Sequence, residues 1–130
     1  MKHFASAILI ALASVTGQSA LSQELVGSYV AVIGNEDLYN SKGKRLTQPW
    51  QILRQDRANY HRFGIRHRGD TGDNFFSSIE NRAIMERMVM NGHIDPGAAR
   101  TLVNGYSDSV LVRIYGRGNR GDYVRVTVMD

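Results

Sequence analysis

The stretch "SVLVRIYGRGNRGDYVRVTV", residues 109–128, constrains the fold more than any other part of the chain. Two runs alternate apolar and polar residues around a glycine-rich centre, the period-2 signature of a β-hairpin. Val110, Val112 and Ile114 share one face of the first run, and Val124, Val126 and Val128 share one face of the second. Both sets must meet the same core, because a one-residue slip would turn one of them to water. Pairing Ile114 with Val124 satisfies this and leaves "RGNRG" as the turn. The same register sets Arg113 opposite Arg125, with Tyr115 and Tyr123 beside them. Like charges directly across strands cost a few tenths to about 1 kcal/mol. A register two residues away, with Tyr115 facing Arg125, also keeps the valines inward and removes the repulsion. In the first register the open face becomes a stacking and anion-binding platform of two arginines and two tyrosines.

A hairpin needs further elements to bury its apolar face. "GSYVAVIG" predicts an N-terminal strand, continuously apolar over residues 29–33 and therefore expected to be covered on both faces. "LTQPWQILRQDRANYHRFG" predicts a helix capped by Thr47, with Pro49 in its first turn and Gly64 at its end. Its apolar stripe is Trp50, Leu53, Tyr60 and Phe63, with Arg57 at the edge. "SSIE" reads as a capping box, Ser77 with Glu80, opening a helix that runs through "NRAIMERMVM" to Gly92. Met85, Met88 and Met90 at helical spacing are core fillers alongside Ile84 and Val89. A third helix follows, with Asp95 as cap, Pro96 first and Gly105 past its end. The class is α+β: a small, mostly antiparallel sheet of one N-terminal strand plus a C-terminal hairpin, packed with three helices.

The first 22 residues carry a basic start, an apolar run from Phe4 and small residues at Ala20 and Ser22 before Gln23. That is the pattern of a secretory signal peptide with too short a core for a permanent membrane span. The expected product is a single exported domain, residues 23–130, in the periplasm or outside the cell, with no integral membrane segment. Cysteine is absent, which excludes a disulfide framework, a thiolate metal site and a cysteine nucleophile. Twelve acids against fifteen Lys and Arg leave the mature chain at only +3, a balance that does not by itself imply nucleic acid.

That modest charge is unevenly spread. In "RQDRANYHRFGIRHRGDTGD", Arg54, Arg57, Arg62, Arg66 and Arg68 face the single acid Asp56 before the acidic loop begins. Up to Phe63 the stretch reads as the polar side of an amphipathic helix, and from Gly64 onward as an arginine-rich loop. Arginine forks suit phosphate, carboxylate or sulfate oxygens. The expected function is therefore a non-enzymatic binding module for an anionic envelope polymer, a nucleic acid or an acidic protein surface. Its ligand-binding residues would be Arg54, Arg62, Arg66 and Arg68, with Arg113, Tyr115, Tyr123 and Arg125 on the sheet.

Two other classes compete with it. His61 or His67 with Asp70 or Asp73 would serve a secreted phosphodiesterase-like hydrolase, by acid–base or metal-assisted chemistry. The histidine spacings match no metal motif, "DTGDN" lacks the calcium-loop pattern, and no cofactor motif is present. Alternatively, a structural protein would pair through its C-terminal edge strand, forming a homo-oligomer or gripping a partner. The triplets Arg68-Gly69-Asp70 and Arg120-Gly121-Asp122 resemble the RGD adhesion motif, but Gly and Asp are also what turns demand.

Overall fold

The computed structural model describes residues 23–129, so the predicted signal segment and its cleavage point lie outside the described residues. Strand β1 (Glu24–Val32) is followed by a short 3-10 turn (Asn35–Leu38) and helix α1 (Pro49–Ala58). Helix α2 (Ile79–Ala83), helix α3 (Met85–Met90), strand β2 (His93–Ile94) and helix α4 (Pro96–Asn104) lead to the hairpin, β3 (Ser109–Arg117) and β4 (Arg120–Val128). The sheet order is β1-β3-β4-β2, antiparallel except for the parallel β2–β4 pair. This is the expected α+β class with a mostly antiparallel sheet.

Helices α1, α3 and α4 pack on one face of the sheet. Tyr29, Ala31 and Ile33 join Val110, Val112, Ile114, Val124 and Val126 beneath Ile52 and Leu53 of α1, Phe75 and Phe76, Met85 and Met88 of α3, and Ala98 and Leu102 of α4. Burying each large apolar side chain contributes about 1.5–3 kcal/mol, so this one cluster carries the fold. Alternate strand residues point to the other face, which no helix or strand of the described residues covers, although the loop at Gly69 lies close to Val32 at one end. Val30, Leu111, Arg113, Tyr115, Tyr123 and Thr127 are half-exposed there.

The hairpin adopts the register in which Ile114 pairs with Val124 and Arg113 with Arg125. Its turn is tighter than "RGNRG". Arg117 pairs with Arg120, and only Gly118 and Asn119 link the strands. Gly118 has φ +56°, as the first central residue of a two-residue hairpin turn requires. A bulge beyond Tyr115 absorbs the residue that this tight turn leaves over. Val128 keeps its parity but frays into solvent at the sheet's end.

Local corrections have simple causes. Gln48, not Thr47, precedes the first turn of α1, because Pro49 takes the first helical position. Ser78, not Ser77, caps α2 by accepting from the Asn81 amide, while Ser77 Oγ donates to Asn74. The single helix expected from Ser77 to Gly92 is two, broken at Ile84. The break separates two anchorages. Arg82 ties α2 to the carbonyls of Phe76 and Ser77, whereas Met85 and Met88 of α3 are wholly buried in the core. Met90 points to solvent instead. Helix α4 runs from Pro96 to Asn104 as expected, but the Asp95 carboxylate engages His93 at 3.2 Å instead of capping the first turn.

Strand β1 is not sandwiched between two layers. It is an edge strand, and the loop after α1 covers part of it. The Thr71 amide donates to Val30 O, Thr71 Oγ1 accepts from Val30 N, and Asp70 accepts from Val32 N at 2.6 Å. At the opposite edge, β2 and the Asp95 amide, which donates to Val126 O, occupy part of β4. Over Arg125 and Val126 the last strand is thus an inner strand. Gly92 permits this approach, since a Cβ there would lie 1.8 Å from Val124 O.

Candidate functional site

On the uncovered sheet face, strand pairing aligns Ser28, Arg113, Arg125 and His93 in one row across all four strands. The next row holds Tyr115 and Tyr123, stacked with ring centroids 4.9 Å apart and planes 13° from parallel. The Arg125 guanidinium sits 5.9 Å from the Tyr115 ring centroid. A cleft of about 340 Å³ opens over this patch, bounded by His93, Asp95, Arg113, Tyr115, Arg125 and Thr127. Its one acid, Asp95, is engaged by His93 at 3.2 Å. Among the described residues no carboxylate pairs with Arg113 or Arg125. Two guanidiniums held side by side without a counter-charge make a local positive potential that an oxyanion would relieve.

The other four predicted arginines do not join this patch. Arg54 and Arg62 lie on the helix side of the sheet, lining a groove with Trp50, Gln51, Gln55 and Phe63. Burial, then the charges of Arg62 and Arg54, lower the pKa of the neighbouring Arg82 guanidinium, so these three cations share one region. Arg66 stands over the Tyr60 ring at 4.2 Å, beside a different cleft, and Arg68 is exposed in the following loop. The predicted surface is thus a sheet-face set, a helix-side pair of Arg54 and Arg62, and Arg66 and Arg68 apart from both.

What sequence reasoning missed is a buried polar cluster beneath the basic stretch. Arg57, expected at a stripe edge, is wholly buried. Its Nε donates to Asp56 at 2.8 Å, and its Nη1 donates to Asp73 at 2.9 Å and to Thr71 O at 3.0 Å. The guanidinium lies between the rings of Tyr29, 3.8 Å away, and Tyr60, 4.7 Å away. Burial works against its charge, yet Asp56, Tyr29 and Asp73 raise its pKa further. Burial also pushes the Asp56 carboxyl up to about 8 despite the attraction of Arg57, with Asp37 and Asp70 adding repulsion. Within this cluster Tyr29 Oη and Arg57 Nη2 have no hydrogen-bond partner among the described residues. The only sequence signal was parity: Ile52, Leu53, Asp56 and Arg57 lie on one helical face, so two charges continue the buried stripe.

Beyond Arg57 the helix widens into a π turn (Asn59–Phe63), closed by Gly64 at φ +66°. Widened turns of this kind free backbone groups and re-aim side chains. Asn59 turns inward to donate to Asp37 and Glu36 O. Phe63, expected in the apolar stripe, is 52% exposed.

Two of the four histidine–aspartate combinations of the hydrolase reading exist as contacts. His61 Nε2 is 3.0 Å from Asp73 Oδ1, and the His67 amide donates to Asp70 at 2.7 Å. Each acid has structural duties, however. Asp73 also accepts from Arg57 and from the Phe76 amide, and Asp70 holds the β1 edge. His67 Nε2 lies 2.8 Å from Glu36, and its Nδ1 lies 3.6 Å from Asp37 and 3.4 Å from Asp70. Burial opposes protonation of His67, but Glu36, Asp37 and Asp70 together raise its pKa. A Cβ on Gly34 would lie 2.2 Å from His67 Nε2, so only glycine admits the ring. Among the described residues no group of three or more His, Asp or Glu is arranged to hold a metal ion.

The adhesion-like triplets are absorbed into the fold. Asp70 faces inward, while Gly121 is buried inside β4 and Arg120 reaches its own neighbour Asp122 at 3.3 Å. No helix of the described residues is long and apolar enough to cross a membrane. No protein-family model, curated protein or solved structure matches the chain.

Proposed function

We propose that this protein is an exported, non-enzymatic binding module whose open sheet face takes an anionic polymer. Arg113 and Arg125 bond the oxyanions, and Tyr115 and Tyr123 stack against or hydrogen-bond to the groups between them. One observation carries the reading. Two arginines stand directly opposite each other on an uncovered face, without a carboxylate partner among the described residues and beside a stacked tyrosine pair. Such a pairing costs the isolated sheet up to about 1 kcal/mol, which a bound oxyanion would offset. Export rests on the N-terminal sequence pattern alone, and the N-terminal residue of protein recovered from its natural compartment tests it.

The binding test is fluorescence anisotropy of a labelled oligonucleotide, repeated with a labelled sulfated glycan, at low and moderate salt. The expected outcome is affinity that falls steeply with salt, because phosphate or sulfate contacts release counterions. The double variant Arg113→Ala and Arg125→Ala should lose at least about tenfold in affinity, each lost charge-assisted bond being worth roughly 1 kcal/mol or more. Affinity unchanged by that variant would sink the proposal. The contact between His61 and Asp73 supports one competing reading, a hydrolase. That reading requires magnesium-dependent or pH-dependent cleavage of the probe, abolished by His61→Ala.

A further inference from the structure

The half of β1 that the covering loop leaves bare supplies a second binding surface, distinct from the sheet face. Ile33 bonds inward to Asp108, so by alternation Ala31 and Tyr29 also bond inward, toward β3. Val32, Val30 and Ser28 therefore direct their backbone groups outward. Asp70 accepts from the Val32 N–H, and Thr71 satisfies both Val30 groups. The loop then leaves the edge at Gly72, where a Cβ would lie 3.0 Å from Tyr60 Oη. Ser28 is exposed, and its outward N–H and C=O face a cleft of about 520 Å³.

The walls of that cleft have a definite chemistry. Arg66 lies across the Tyr60 ring at 4.2 Å, and His61, Asn74 and Ser77 complete the rim. The one carboxylate present, Asp73, is already saturated by Arg57, His61 and the Phe76 amide. Among the described residues, an arriving chain thus meets a strand edge without a partner at Ser28 and, beside it, a guanidinium without an acid partner.

We infer that an extended acidic segment of a partner protein adds to the outer edge of β1 at Ser28 and places a carboxylate against Arg66. Backbone pairing at the edge gives affinity, and the alternate side chain directed into the cleft gives selectivity for acid. Thr71 already makes the equivalent bond one pair further along, so the guest continues a ladder that the protein itself begins.

The test is amide chemical-shift mapping of nitrogen-15-labelled protein during titration with a capped pentapeptide, Thr-Val-Glu-Val-Thr. Shifts centred on Ser28, Gly72 and Arg66 are expected, and a peptide with lysine at the centre should bind at least about fivefold more weakly, the equivalent of roughly 1 kcal/mol. Arg66→Ala should remove that preference. Ser28→Pro removes the outward N–H at an edge position where proline is tolerated. Should that variant fold poorly, a peptide N-methylated at its central residues asks the same question from the other side. Arg113→Ala should leave peptide binding intact, which separates this inference from the sheet-face reading. Equal binding of the lysine peptide, undiminished binding of the N-methylated one, or no shifts at about millimolar peptide would each overturn it.

Discussion

Replacing Asp56 with asparagine should turn a buried, proton-holding group into a permanently neutral one of the same shape. The ordinary carboxyl value of 3.8 rises to about 8 in the fold, because burial outweighs the attraction of Arg57. The folded protein therefore retains a proton that the unfolded chain releases above pH 4. Where the native state binds more protons, stability falls as pH rises. The loss begins near pH 4, continues to about pH 8 and then levels, since above that both states are ionised. Some four pH decades at about 1.4 kcal/mol each give a ceiling on the order of 5 kcal/mol.

Asp56→Asn lacks this titration, so its stability relative to the natural protein should climb by about 1 kcal/mol per pH unit between pH 5 and 8. Urea denaturation at unit pH intervals from 4 to 9 measures the difference. His67 and Asp37 are present in both proteins, so their own alkaline losses largely cancel. Two curves that run parallel across the whole range would refute the reasoning. They would mean that the ion pair with Arg57 keeps Asp56 charged throughout.

Arg57→Met strands Asp73 and should cost about 3–5 kcal/mol, the usual price of removing one member of a buried ion pair; calorimetry reads the loss. Gly34→Ala drives a methyl into the His67 ring and should speed hydrogen exchange at Val30 and Val32, whose amides the loop covers. Protonated His67 stabilises the Glu36, Asp37 and Asp70 hub below pH 6.5, and that contribution fades as pH rises through its raised value. Exchange at Val32 should therefore quicken between pH 6 and 9 beyond the intrinsic pH effect, and His67→Gln should flatten that excess. Met88→Ala opens a cavity in the core and should cost about 2–5 kcal/mol, measured in the same denaturation assay.

How much of this was legible beforehand depends on the kind of residue. The hairpin was readable because valine parity permits only registers that differ by two, although parity alone cannot choose between them. The tight Gly118–Asn119 turn and the bulge beyond Tyr115 decide together: the turn sets Arg117 against Arg120, and the extra residue of the bulge carries Arg113 to Arg125. Helix α4 was readable from Pro96 at its first position and Gly105 past its end, both of which act locally. Strand β2 was not, because two residues carry no period. The break at Ile84 was hidden because it follows from where Arg82 and Met85 are anchored, a tertiary matter. The sheet-face residues Arg113, Tyr115, Tyr123 and Arg125 could be grouped in advance. That Arg54 and Arg62 line one cleft, Arg66 another and Arg68 neither could not be read without knowing that the helix widens at Asn59.

Arg57 shows why a charge count misleads. Within a basic stretch it looks like one more surface cation, yet it joins three pieces that no apolar side chain could join. Its planar fork reaches Asp56 on its own helix, and Asp73 and Thr71 O on the following loop, while its faces lie near Tyr29 of the sheet and Tyr60 of the π turn. Lysine, with a single ammonium, could not satisfy two carboxylates in a plane and pack between two rings. A buried ion pair contributes little net stability compared with a well-packed apolar replacement. What it contributes here is position. By fixing Thr71, it determines how much of the β1 edge is covered and therefore where the bare edge at Ser28 begins.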